Sequence, residues 1–294
     1  MTRCGGICAF GLPVDLIRVA GGAVLAGLAV YALATARGQG VVKLWRWTIA
    51  FPGWKMTTAP TLLALALLAA ALLIEVSAAS AQALPKLPEL PKDTLVEYPV
   101  PGAGGDLVVI LSGDGGWADL DRQLGIRMAA RGLSVLGFDC MKYFWQTRSP
   151  EETARDIDAV VEHYLSAWGK QRLVLIGYSF GAAVEPFVLA RLPDALRAKL
   201  ALAVLLGPAT YANWEIHWGD WLHDQPHASA RPVAAELAKI GGIRILCVYG
   251  ALEAKGSLCP TLAKGTAELL ELPGGHHFDE DYVKLADLIL QRVP

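Results

Sequence analysis

The residues with the clearest chemical reach in this 294-residue chain are a serine, two adjacent histidines and a glutamate, each just past an apolar run. Gly177-Tyr178-Ser179-Phe180-Gly181 follows the run 172–176 and precedes a helical pattern over 181–192. A serine between glycines at a strand-to-helix turn has its hydroxyl lifted clear of the backbone, above a helix N-terminus that favours negative charge. Ser179 is therefore the candidate nucleophile. It needs a base, and Leu272-Pro273-Gly274-Gly275-His276-His277-Phe278-Asp279, after the last apolar run, supplies an imidazole. The Gly-x-x-His-Phe pattern there selects His277, with His276 as the alternative. Glu253, three residues past Gly250, is the candidate acid that would orient that imidazole and stabilise its cation; Glu215 and Asp220 are alternatives.

Attack on a carbonyl also needs donors for the developing oxyanion. One is the amide after the nucleophile, that of Phe180. The other belongs to the glycine-rich loop Ser112-Gly113-Asp114-Gly115-Gly116-Trp117, with Asp114 and Gly115 the best-placed amides. No Lys-Ser/Thr follows these glycines, which excludes a nucleotide phosphate loop. Asp119, Asp121, Tyr178, Trp117 and Trp218 are candidate substrate contacts, and Asp114, Asp279, Glu280 and Asp281 add carboxylates expected at the same edge. Trp214, His217, Trp218 and Trp221 have helical spacing, which fits an aromatic lid, a membrane-facing face or plain core packing. A metal held by His276, His277, Asp279 and Asp281 is disfavoured, because neighbouring side chains on extended backbone diverge. No metal and no cofactor is expected.

The elements that must position these groups alternate. Strands are expected at 94–98, 107–111, 134–138, 172–176, 201–206, 244–249 and 267–272, and helices at about 119–131, 151–168, 181–192, 232–239 and 280–292. Ser149-Pro150-Glu151-Glu152 reads as an N-cap, a first-turn proline and two first-turn acids. Runs such as Leu107–Leu111 are apolar without alternation, as parallel strands buried on both faces require. The expected fold class is α/β, with a mostly parallel central sheet flanked by helices over 94–294.

Composition narrows the classes. With 54% hydrophobic and 18% charged residues the chain is not disordered. Residues 1–83 hold six basic side chains (Arg3, Arg18, Arg37, Lys43, Arg46, Lys55) and two acids (Asp15, Glu75), so the remainder is net acidic. That remainder has no basic run, which argues against nucleic acid as a partner. Five cysteines without a C-x-x-C pair exclude a disulfide scaffold and a zinc ribbon.

The N-terminal third reads as targeting sequence. Val19–Ala36 is uncharged and just long enough to span a membrane. Residues 56–83 run from an apolar stretch into small residues ending Ala81-Gln82-Ala83, the layout of a signal peptide preceded by Lys55. Two readings stay open: 1–55 is an over-extended start ahead of a signal peptide, or both runs are hydrophobic anchor helices. If the source is bacterial, each puts the remainder outside the cytoplasmic membrane. Prolines 85, 88 and 91 make 84–93 a stiff linker. In an exported chain a Cys247–Cys259 bond would brace the loop carrying Glu253, with Cys140 as a third candidate partner.

Taken in order, Leu111–Trp117, Tyr143-Phe144-Trp145, Gly177–Ala182, Cys259-Pro260 and Leu272–Asp279 resemble the VirJ/AcvB type of bacterial periplasmic virulence protein, over roughly 94–292. The resemblance implies an α/β-hydrolase fold and a serine esterase-type site mapped onto Ser179 and His277. It further implies action on aminoacylated phosphatidylglycerol, chiefly the aminoacyl ester of lysyl-phosphatidylglycerol, at the membrane surface, and a link to type IV secretion. Ala183 departs from the pattern, which has an acid there. The alternative function is a non-catalytic periplasmic interaction module that binds secretion-system proteins.

Overall fold

A computed structural model describes residues 83–102, 104–217 and 226–294. The two N-terminal apolar runs, the signal-peptide reading of 56–83 up to Gln82, and Trp218, Asp220 and Trp221 lie outside the described residues. Among the described residues no helix is long and apolar enough to cross a membrane.

The chain enters along 84–93, which has no regular structure yet is not detached. Leu87 and Leu90 pack against the core, and the Pro85 carbonyl lies 2.6 Å from Nδ1 of His163. Then follow β1 (Leu95–Tyr98), β2 (Asp106–Leu111), α1 (Asp119–Ala130), β3 (Ser134–Phe138), the single turn α2 (Cys140–Tyr143) and α3 (Pro150–Ala167). Next come β4 (Arg172–Tyr178), α4 (Phe180–Leu189), a short α5 (Asp194–Arg197) and β5 (Leu200–Leu206). A two-residue pair, β6 (Tyr211–Ala212) and β7 (Arg231–Pro232), leads to α6 (Val233–Leu237). The chain ends with β8 (Ile245–Gly250), β9 (Glu268–Leu272) and α7 (Tyr282–Leu290).

Seven strands form one sheet in the order β1-β3-β2-β4-β5-β8-β9. Its pairings are parallel except at the edge, where β1 runs antiparallel to β3. Each central strand feeds both faces. Leu107, Val109 and Leu111 belong to the core under α3, α4 and α6, while Val108 and Ile110 belong to the core under α1 and α7. All six residues of β2 are buried, and each such aliphatic side chain contributes roughly 1.5–3 kcal/mol by leaving water.

The cap expected for α3 forms, Oγ of Ser149 accepting from the Glu152 amide with Pro150 in the first turn. The last helix starts later than its pattern suggests. Phe278, Asp279 and Glu280 all have positive φ, so a tight turn precedes Tyr282.

Because β2, β4, β5, β8 and β9 run parallel, the loops after all five emerge at one edge of the sheet. These loops carry Ser112–Trp117, Ser179, Gly207, Glu253 and His276-His277. The carboxyl edge of an open parallel sheet is where such folds build their sites.

Candidate active site

Ser179 sits between β4 and α4 with φ 53° and ψ −113°, a conformation costly for any residue with a side chain. Its neighbours explain why it is held. A Cβ on Gly177 would lie 2.6 Å from the Ala182 backbone, and one on Gly181 would lie 2.3 Å from the Leu111 carbonyl oxygen. Only glycine lets helix and strand approach so closely around the serine. The Ser179 amide donates to Leu206 O (2.8 Å) and the Gly181 amide to Ser112 O (3.1 Å), pinning the bend to both neighbouring strand ends.

Oγ of Ser179 lies 2.7 Å from Nε2 of His276, and Nδ1 of His276 lies 2.8 Å from Oε2 of Glu253. The partner of Ser179 is thus His276, which corrects the expectation of His277. Adjacent side chains diverge, and the two imidazole planes are 84° apart. His277 turns toward Tyr178, its Nδ1 3.1 Å from the phenol oxygen. Close backbone contact sets this phase. The Gly275 carbonyl oxygen would be 2.2 Å from a Cβ on Gly250, and the Leu252 amide donates to Gly274 O at 2.9 Å. Gly207, at φ +57°, leaves the space where a Cβ would meet the His276 ring at 3.1 Å.

Glu253 is the acid the serine–histidine pair engages. Burial raises its carboxyl, but the hydrogen bond and charge of His276 outweigh this, and its pKa falls below the ordinary 4.5. It is therefore ionised at neutral pH. Glu215 accepts instead from Thr147 Oγ1 at 2.6 Å, so that alternative is removed. Asp220 lies outside the described residues.

These groups open into a cavity of about 640 Å³ whose wall includes Asp114, Gly115, Tyr178, Ser179 and Phe180. The Phe180 amide opens α4, where no intrahelical acceptor exists, and points from the same helix end that supports Ser179. Among the described residues the wall carries four acidic side chains, Asp114, Asp121, Glu215 and Glu253, and no lysine or arginine.

Two expected contacts are elsewhere. Trp117 packs beneath the sheet edge against Gly137 and Tyr98, its indole N–H donating to the Tyr98 hydroxyl at 3.3 Å. Asp119 is exposed and pairs with Arg122 at 2.5 Å. Neither lines the cavity. Trp214 is core, wedged against Phe144 and Phe187, and Trp218 lies outside the described residues. Asp281 caps α7 by accepting from the Lys284 amide.

Serine, acid and histidine in that chain order, with the serine on a strained strand-to-helix bend, are the layout of the α/β-hydrolase fold. Over residues 105–294 the sequence also matches the family described as Bacterial virulence protein (VirJ). The chain belongs to the VirJ family. No curated protein matches the sequence. Among solved structures, MenH from S. aureus is 13% identical, with 68% of this chain and 97% of that one covered at a TM-score of 0.50. A probable hydrolytic enzyme from Pseudomonas aeruginosa PAO1 is 15% identical, covering 68% and 89%, with a TM-score of 0.49. The likeness to MenH is one of fold.

Two features of this VirJ-family site make testable expectations. Cys247 in β8 and Cys259 form a disulfide across a sequence separation of 12, closing the loop that carries Glu253, while Cys140 is free and buried. Replacing both bonded cysteines by alanine is expected to lower unfolding free energy by about 3 kcal/mol, the chain-entropy value for so short a loop. Urea denaturation of the oxidised protein and the variant measures it.

Asp121 is fully buried at the start of α1, its Oδ2 accepting from the Ala118 amide at 3.2 Å. Burial raises its pKa from 3.8 to about 7, against the Ala118 hydrogen bond and with help from the Asp139 charge. Below pH 3.8 the folded and unfolded chains both hold this proton; between 3.8 and about 7 only the folded chain does. Stability from this group is therefore lost as pH rises through that window. Asp121→Asn is expected to flatten the decline by up to about 4 kcal/mol, each tenfold difference in proton affinity being worth roughly 1.4 kcal/mol. Denaturation curves at pH 4 and pH 8 compare the two proteins.

Proposed function

We propose that this protein is a serine esterase that cleaves the aminoacyl ester of a cationic aminoacyl phospholipid, with lysyl-phosphatidylglycerol as the preferred substrate. The hydrogen-bonded chain Ser179–His276–Glu253 carries the reading. Nε2 of His276 takes the Ser179 proton as Oγ attacks the ester carbonyl, and Glu253 stabilises the imidazolium that results. The amide of Phe180 and one from the Asp114–Gly115 loop hold the oxyanion. Collapse expels the glycerol hydroxyl of the lipid, which takes its proton from His276, and leaves an aminoacyl ester on Ser179. Water, deprotonated by His276, attacks that ester; the products are the free amino acid and regenerated serine.

The acidic cavity supports the cationic acyl group. A lysyl ester carries two ammonium groups, and among the described residues the wall presents the carboxylates of Asp114, Glu215 and Glu253, beside a buried and part-protonated Asp121, and no lysine or arginine, which favours that group over a neutral or anionic acyl chain. The Cys247–Cys259 bond supports a place in an oxidising compartment, here the periplasm, next to the lipid's outer-leaflet headgroup.

The test is amino-acid release from vesicles containing lysyl-phosphatidylglycerol, with a neutral acylglycerol ester as comparison. Faster release of lysine, abolished by Ser179→Ala, is the expected result; equal rates on both esters would sink the cationic preference. Asp114→Asn keeps the loop amides but removes one charge. It should lower kcat/KM for the lysyl ester roughly tenfold, the 1–2 kcal/mol of a charge pair about 10 Å apart at effective dielectric 20, and leave the neutral ester unchanged.

A further inference from the structure

One acidic residue of the cavity wall belongs to a second group of side chains. Glu215 lines the cavity on one side, and on the other its Oε1 faces two imidazoles. Nε2 of His217 lies 3.5 Å from Oε1, and Nδ1 of His227 lies 3.7 Å from the same oxygen. All three potential ligand atoms fall within 4.8 Å of one another.

These spacings are informative. Hydrogen bonds from N–H to oxygen lie at about 2.7–3.2 Å, so both contacts are too long to be hydrogen bonds of ordinary length. Ligands bound tetrahedrally at about 2.0–2.1 Å stand about 3.3–3.4 Å apart, close to what is seen. The carboxylate is also pre-oriented: Oε2 accepts from Thr147 Oγ1 at 2.6 Å, which turns Oε1 toward the imidazoles. An outer hydrogen bond of this kind is what fixes metal-ligating carboxylates. The amide of His227 donates to Asn213 Oδ1 at 2.9 Å, tying the second histidine to the strand that leads into Glu215.

We infer that Glu215, His217 and His227 form a binding site for one divalent transition metal of the zinc class, set in the wall of the serine cavity. Two imidazoles and one carboxylate suit zinc and leave a fourth position for water or a ligand oxygen. The same set disfavours magnesium and calcium, which take oxygen ligands. The ion reverses the charge that Glu215 presents to the cavity, so zinc lowers affinity for a cationic ester. That last consequence rests on the esterase reading; the metal site does not.

Calorimetric titration of the metal-stripped protein with zinc chloride at neutral pH tests the site. One ion per chain with a Kd of about 10 μM or tighter is expected, for a free energy near −7 kcal/mol. His217→Ala, an exposed position, should weaken binding at least tenfold without changing the melting temperature in chelator. His227→Ala should weaken it as much, and Thr147→Val about tenfold through loss of the outer hydrogen bond. His276→Ala should bind zinc like the parent protein. Binding unaffected by His217→Ala, binding lost in His276→Ala, or a Kd weaker than about 1 mM would each overturn the assignment. Fluorophosphonate labelling of Ser179 in the same samples reads the esterase proposal separately, since labelling needs no zinc.

Discussion

Ser179→Ala is expected to abolish labelling by a fluorophosphonate probe and to lower kcat/KM for ester hydrolysis by about 10⁴–10⁶-fold. The size follows from what the residue does. Without Oγ there is no acyl-enzyme, and His276 has no hydroxyl 2.7 Å from its Nε2 to deprotonate. What survives is the cavity and the oxyanion donors, which in serine hydrolases retain a residual acceleration of about 10³–10⁴ over water. Alanine also relieves no fold-critical contact, because the bend is held by the Ser179 amide and by the flanking glycines. The variant should melt with the parent. Labelling that persists in it would place the nucleophile elsewhere and remove the proposed mechanism.

The second large effect separates two adjacent histidines. His276→Ala is expected to cost about 10⁴–10⁶-fold in kcat/KM, since base and acid are lost together. His277→Ala should cost less than about tenfold, because its ring meets Tyr178 and not Ser179. The two substitutions remove the same chemical group from neighbouring positions, so composition and net charge are matched. Only orientation differs. If His277→Ala proves the more damaging, the hydrogen-bonded chain through His276 is not the working arrangement. Burial, with the charge of Asp121 close by, pushes the Tyr178 hydroxyl up, so it stays a neutral partner for His277 across the range of such assays.

The sheet strands were legible for a simple reason. Unbroken apolar runs such as Leu107–Leu111 and Leu173–Ile176 have one economical use, as strands covered on both faces, and both lie in the sheet interior. Ser179 was legible because its demands are local: a bend between strand and helix needs glycines at 177 and 181, and their absent side chains are visible in the sequence. The helix starts at Asp119 and Pro150 were equally local, written in acids and a proline.

The misjudged positions share a different character. Trp117 and Asp119 both follow the glycine loop, yet one packs under Gly137 and the other faces solvent, while Asp121, two residues further on, is the one that reaches the cavity wall. The directions of Asp119 and Asp121 depend on the rotation of α1 about its axis, which is set by packing against β3 and α7. Glu215, His217 and His227 are similar: a separation of ten residues between the histidines carries no ligand signature, and only the folded chain brings the three together.

The amino-acid sequence alone determined that this chain builds a parallel sheet with a serine on a strand-to-helix bend, and that an acid and a histidine follow in the later loops. Those are properties of runs and of single turns, fixed by side-chain sterics and burial over a few residues. Tertiary structure decided which histidine turns to that serine, which acid meets it, and which carboxylates face the cavity. Each of those is an orientation about a backbone whose path is set by distant contacts, such as Gly250 against Gly275, and a change of one residue in phase exchanges His276 for His277.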